Sequence, residues 1–294
     1  MIPLWMAAML AASPVTPAAA KPPPSTSGRP PASWILELDA SAEALSDRLV
    51  DVSGRFLGTA YLHSPLGEGE GVDPDPMIRF DAVDCLTYVE QTLALALSRN
   101  PEEVARTLEA LRYAKRPSYE DRNHLMEAQW LPNNVQKGFL RDITREIAGD
   151  DAVRTSKVLT RESWMVPSSK ALGLPQARQI QGEFAFDMIP LDRVMKYARH
   201  LPSGTILVVI REERLHKVTR ITHLGFVVQK KKRTYLRHAA RSHYRAVVDE
   251  DLETFLLRNS KYSKWPVVGV ALYQVRLPGH ADPSATTAEL QQAP

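Results

Sequence analysis

The chain has 294 residues, a net charge of +3 and 44% hydrophobic residues. That is long enough for one large domain or two small ones and apolar enough for a core, so global disorder is excluded. The mild charge balance offers no basic face of the kind nucleic acids require, and no apolar run of spanning length lacks breakers.

Residues 1–20, MIPLWMAAMLAASPVTPAAA, read as an export signal. Ile2 to Ala12 is an apolar stretch of suitable length and Ala18-Ala19-Ala20 is a small-residue cleavage pattern, although no Lys or Arg precedes the run. A buried or disordered N-terminal segment is the alternative. The stretch KPPPSTSGRPPAS cannot pack into a core and makes 21–33 a linker. One domain is expected over 34–277, with an insertion over about 99–203 and a flexible tail over 278–294. On this reading the mature chain is periplasmic or otherwise exported, and no integral membrane segment remains once the signal is removed.

Within 38–57, Leu45, Leu49, Val52 and Phe56 recur at helical spacing. The segment 58–84 is dense in Gly, Pro and Asp and reads as loop. In the next helix Leu86, Val89, Leu93 and Leu97 form an apolar stripe, and Asn100-Pro101 opens another as N-cap and first-turn proline. Residues 115–185 are irregular and loop-rich, save a short helix around Phe139–Ile147 that stops at Gly149. A helix near Leu191–His200 ends at Pro202-Ser203-Gly204. Three strand-like runs follow, GTILVVIRE over 204–212 and two within 222–241 around a basic tip, KKKR, best read as a solvated turn. A helix near Asp249–Arg258 and a final core strand over 265–276 complete the chain. Helices first and strands second predict an α+β domain with helices packed on an antiparallel sheet.

Cys85 is the only cysteine, so it cannot staple the fold. An inert buried thiol, an intermolecular disulfide and a reactive nucleophile all remain open. Its position favours chemistry: it follows Asp84, a good N-cap, and opens a strongly periodic helix, where unpaired backbone N–H groups should lower a thiol pKa. Asp84 opposes this as a charge and is read as a structural cap. A base would come from histidine. With a turn near Lys231-Lys232, His238 falls opposite Gly225, two positions from His223; a turn one residue earlier sets the two histidines directly across, and in either register both rings project from one sheet face. Gly225 leaves room for another backbone or a substrate.

The ordered set GTAYLHSPLGEG…FDAVDCLTYVE, RNHLMEAQW, THLGFVV and YLRHAAR resembles the NlpC-type branch of papain-like cysteine hydrolases, and more narrowly a bacterial N-acetylmuramoyl-L-alanine-amidase-like family. The resemblance covers roughly 40–277. It implies a nucleophile on an N-terminal helix packed against an antiparallel sheet, with a helical and loop insertion. It also implies catalytic Cys85, His223 as general base and His238 as the third polar member. Tyr61 matches a tyrosine near the nucleophile, and Arg122, Asn123, His124 and Trp130 match a motif expected to line the cleft or support it. Ala239, Ala240 and Arg241 depart from the small hydroxyl residues often found after the third member. The implied substrate is peptidoglycan or its muropeptide fragments, cut at an amide bond by acyl transfer without metal or other cofactor. The implied bond joins the lactyl group of N-acetylmuramic acid to L-alanine, and the D-glutamyl to diamino-acid bond is the alternative.

Two rivals stand beside this reading. A zinc hydrolase lacks its signature, since no His-Glu-x-x-His is present. A non-catalytic wall-binding protein with the same fold is the other.

Overall fold

The computed structural model describes residues 42–279, so the expected signal, linker and all but the first two residues of the tail lie outside the described residues. The first helix, α1 (Ala42–Arg55), carries Leu45, Leu49 and Val52 on its buried face, and Phe56, one residue past its end, continues the stripe, as the spacing predicts. Two short strands, β1 (Ala60–Tyr61) and β2 (Ala82–Val83), frame the Gly- and Asp-rich loop and pair in parallel. Then come α2 (Cys85–Leu97) and α3 (Pro101–Arg112), the latter capped by the Asn100 side chain with proline in its first turn. Their facing sides supply Val89, Leu93, Val104, Leu108 and Leu111, all in the main core.

Beyond α3 the chain runs through α4 (Leu131–Gln136), β3 (Leu140–Asp142), α5 (Thr144–Ala148), β4 (Val153–Leu159), α6 (Pro167–Lys170), β5 (Gly182–Pro190) and α7 (Val194–Tyr197). The helix expected over Phe139–Ile147 is therefore a strand followed by a shorter helix. Leu140 to Asp142 leave the helical path because they hydrogen-bond with the last strand of the chain, while Gly149, at φ 52°, ends α5 as anticipated. The region expected as helix and loop contributes three strands to the same sheet. β4 and β5 pair over seven positions although 22 residues separate them.

The second half builds the sheet: β6 (Ile206–Arg211), β7 (Ile221–Lys230), β8 (Arg233–Ala240), β9 (Ala246–Asp251), α8 (Leu252–Ser260) and β10 (Val267–Val275). The order is β2-β1-β9-β8-β7-β6-β10-β5-β4, with β3 on β10, and every pairing except β1–β2 is antiparallel. The fold is thus α+β, a large antiparallel-rich sheet with helices packed on it. The helix expected from Asp249 begins only at Leu252, because Asp249 to Asp251 close the β8–β9 ladder. Strand alternation gives the sheet two apolar faces. Phe226, Leu224, Val208 and Ala271 pack with α1 and α2, whereas Val227, Leu236, Leu207 and Leu272 pack with Leu252, Phe255 and Leu256 of α8.

The β7–β8 turn lies at Lys231-Lys232, both at positive φ, and the register sets His238 opposite Gly225. The ladder between these strands starts at Phe226↔Arg237, while upstream residues of β7 pair with β6 alone. Gly225 stands at the mouth of this opening. A Cβ there would lie 2.5 Å from the Arg237 carbonyl oxygen and 2.8 Å from the Cβ of His238. Gly225→Ala should therefore cost about 1–3 kcal/mol through overpacking. A fall in the midpoint of thermal unfolding measures it, and an unchanged midpoint would contradict this packing.

Candidate active site

Cys85 is the first residue of α2. Asp84 caps the helix: its Oδ1 accepts from the Thr87 backbone N–H at 2.8 Å, and Thr87 Oγ1 accepts from the Asp84 N–H at 2.9 Å. Oδ2 accepts from the Ser64 N–H, which ties the preceding loop to the helix start. The structural role read for Asp84 is the one it has here.

Cys85 is partly buried as a residue and its thiol forms no disulfide. The N–H groups of Leu86, Cys85 and Leu224 are turned toward it and favour its charged form. The Leu224 N–H is available because β7 has no ladder partner on that side: N–H groups alternate along a strand, and that of Val227 points the other way, to Thr205 beside β6. Burial and the charge of Asp84 outweigh these donors and push the thiol up to about 12. The lowering expected from the helix start is therefore overturned in the substrate-free site, because desolvation penalises the thiolate more than the first-turn dipoles repay it. Tyr61 reaches the same place through β1, where it pairs with Val83 just before the cap. Burial, then the neighbouring Cys85 and Asp84, raise its phenol well above the ordinary range.

His223 and His238 come together as the register requires. His223 Nε2 and His238 Nδ1 are 2.7 Å apart, with the rings edge to face. Both pack on Phe255 of α8. His238 Nε2 lies 3.2 Å from Glu250 Oε2, and Arg258 donates to both oxygens of Glu250. Burial works to raise the Glu250 carboxyl, but His238 and Arg258 prevail and hold it below the usual range. An ionised Glu250 accepts only, so His238 Nε2 donates to it, and when that ring carries a single proton its Nδ1 is an acceptor. His223 then donates from Nε2, and its Nδ1 keeps the lone pair. Burial, the adjacent His238 and the Arg258 and Arg211 charges drive the His223 pKa well below 6.5, so this ring is neutral at physiological pH. No hydrogen bond joins the sulfur to either imidazole among the described residues. The thiol meets β7 from the α2 side, at Leu224, next in sequence to His223.

Arg122, Asn123, His124 and Trp130 are held in internal contacts. Arg122 forks onto Glu68 and pairs with Asp73 at 2.9 Å, joining the 58–84 loop to the segment after α3. Asn123 accepts from Asn133, and His124 Nε2 lies 2.6 Å from the Tyr119 carbonyl oxygen. Trp130 is fully buried and donates to Glu90, itself paired with Arg112. Glu250, Arg258 and Phe255 were not singled out from sequence. The available signal was an acidic residue twelve positions after His238, legible only once β9 is recognised as a strand. No group of three or more His, Cys, Asp or Glu side chains is disposed to hold a metal among the described residues.

Residues 51–262 match the family described as AmiA-like, N-acetylmuramoyl-L-alanine amidase-like, and the chain belongs to that family. A solved structure of a Legionella pneumophila protein is similar at 24% identity and TM-score 0.70, covering 80% of this chain and 90% of its own. A Bacteroides uniformis structure described as an N-acetylmuramoyl-L-alanine amidase is similar at 22% identity and TM-score 0.64, covering 79% of this chain and 99% of its own. At these identities the likeness is one of fold. No curated relative matches.

A thiol held up near 12 makes a testable claim about reactivity without substrate. The rate of alkylation by iodoacetamide should climb about tenfold per pH unit between about pH 7 and 10, because only the thiolate reacts. A plateau below pH 8 would instead show a thiolate already formed.

Proposed function

We propose that this chain is an exported peptidoglycan hydrolase that cuts the amide between the lactyl group of N-acetylmuramic acid and L-alanine, using Cys85 as nucleophile on a papain-like, NlpC-type scaffold. Family membership supports the substrate class. The chemistry rests on one observation: the run Arg258–Glu250–His238–His223, whose proton polarity leaves a lone pair on His223 Nδ1 beside the stretch of β7 that meets the thiol.

In the proposed reaction His223 Nδ1 takes the Cys85 proton as the sulfur attacks the carbonyl carbon. The neutral thiol and neutral imidazole make this a general-base step rather than attack by a standing ion pair. The oxyanion forms beside the N–H groups at the start of α2, with the Tyr61 hydroxyl close to the sulfur. The imidazolium passes its proton to the leaving amine, the C–N bond breaks and a thioester remains. Water, deprotonated by His223, then releases the acyl group and restores the thiol. The thiol-to-imidazole hydrogen bond must form in the substrate complex, as catalytic hydrogen bonds often tighten only there.

A second reading, a wall-binding protein without turnover, draws on the protonated thiol and on the absence of that hydrogen bond among the described residues. Purified muropeptides distinguish the readings. Release of free peptide with an L-alanine amino terminus, measured by mass, supports the amidase, and cleavage after D-glutamate would move the assignment to the stem-peptide bond. Binding without fragments would favour the second reading. Cys85→Ala should lower turnover at least about a hundredfold with the fold intact.

Glu250→Gln removes the acceptor-only anchor, leaving His238 and Arg258 to compete for a single oxygen. kcat should fall at least about tenfold, with circular dichroism unchanged. The acid limb of kcat/KM in the wild type should lie below pH 6.5, because the depressed His223 pKa keeps the base unprotonated as the pH falls through that value. A limb above pH 7 would exclude His223 as the base described here.

A further inference from the structure

Beside His223 stands a cluster that the catalytic reading does not use. Arg211, the last residue of β6, donates from Nε to Thr222 Oγ1 at 2.8 Å and from Nη1 to the Trp265 carbonyl oxygen. Its guanidinium lies over two rings of the α8–β10 loop, 5.2 Å from the Tyr262 centroid and 5.6 Å from that of Trp265. Lys217, from the β6–β7 loop, lies 5.4 Å from the Trp265 ring. Tyr262 is 49% exposed, so the cluster opens to solvent. Trp265 is itself pinned, donating to the Glu212 carbonyl oxygen.

Two cations are gathered here without an acid. Among the described residues neither Arg211 nor Lys217 has an ion-pair partner, and Arg211 Nη2 makes no hydrogen bond. The nearest acids in sequence are engaged elsewhere: Glu213 with Lys157 and Arg220, Glu212 with Arg214. A half-buried guanidinium without a counter-charge is costly, and ring faces offset only part of the loss. A planar fork with one free amino group, fixed by two hydrogen bonds and two ring contacts, is suited to a carboxylate. Arg211 is bonded to Thr222, next in sequence to His223, which sets the cluster on that side of the site, and its charge also reaches the His223 ring.

We propose that Arg211, Lys217, Tyr262 and Trp265 form a subsite that binds a carboxylate of the peptide on the leaving-group side of the scissile amide. This rests on the amidase reading for its direction: the imidazole that protonates the leaving amine faces the departing half of the substrate. In the bond proposed, that half is a peptide beginning with L-alanine and bearing free carboxylates from D-glutamate onward. Arg211 would take a carboxylate through Nη2, Lys217 would add charge, and the two rings would cover the peptide backbone.

The probe is the tripeptide L-alanyl-γ-D-glutamyl-diaminopimelate, set against the same peptide with its carboxylates amidated. Binding to full-length Cys85→Ala is followed by calorimetry and by indole fluorescence. The acid form should bind at least tenfold more tightly than the amide. Arg211→Gln should weaken the acid form about tenfold and leave the amide unchanged, and Lys217→Gln, a change at a partly exposed loop residue, should weaken it about threefold in low salt. Equal binding of acid and amide, no saturable binding of the acid, or indifference to both substitutions overturns the subsite. Turnover of muropeptides by the wild type is measured in parallel. Acid-selective binding lost on Arg211→Gln without any turnover would leave the subsite standing while the amidase reading fell.

Discussion

The site depends on a place where the sheet stops being a sheet. From Phe226 onward β7 is bonded on both sides; before it, residues 221–225 have β6 alone. A backbone N–H released from a ladder must find another partner when it is buried. The Leu224 N–H is turned toward the sulfur of Cys85 and favours its charged form. The thiol thus lies at this opening, between the start of α2 and the part of β7 that has β6 alone. An edge-to-face series of rings, Phe56 on Tyr88 and Tyr88 on Phe226, holds α2 against the sheet three residues past the thiol. Packed aromatics of this kind fix position as well as adding burial. On the other side of the opening the imidazoles are clamped by Phe255.

The electrostatics of this placement favour a resting site without charge on sulfur or imidazole. Burial raises the thiol and lowers His223, so each disfavours its ionised form for the same reason. An ion pair held there would carry the desolvation of two charges before any substrate arrived. Asp84 sharpens the balance. As a cap it contributes about 1 kcal/mol to α2, and its carboxylate is occupied by Thr87 and Ser64. As a charge it opposes the thiolate. The helix start is fixed firmly by a residue that also disfavours the thiolate, and in the proposed reaction deprotonation is left to the imidazole.

Much of this was legible in the sequence where one local rule governed the outcome. The apolar stripes of α1 and α2 and the Asn100-Pro101 cap each followed from spacing and capping chemistry, and of the two registers open to the β7–β8 turn the structure takes the one with His238 opposite Gly225. Signals failed where a distant partner decided. β4 carries Lys157 fully buried against Glu213, so its pattern does not alternate as an apolar strand should. Leu140 to Asp142 are a strand only because β10 lies beside them. Asp249, Glu250 and Asp251 look like the acidic first turn of a helix, and the ladder with β8 claims them instead. That last error hid Glu250. The thiol was found and its acidity misjudged for a related reason: the helix start is visible in sequence, but the burial that outweighs it is not.

Glu250 explains why a second imidazole is useful. A carboxylate touching His223 directly would hold its proton tightly and raise its pKa. Placing His238 between them transmits orientation through its two ring nitrogens, one beside His223 and one beside the carboxylate. Arg258 completes the arrangement by keeping Glu250 ionised inside a buried pocket, where a lone carboxyl would otherwise take up a proton and become able to donate. Were Glu250 to donate, His238 would turn its proton toward His223, and the Nδ1 lone pair would be lost to the wrong tautomer. In the proposed reaction such an imidazole would be an oriented but weak base, one that returns the proton of the thiol easily to a leaving amine.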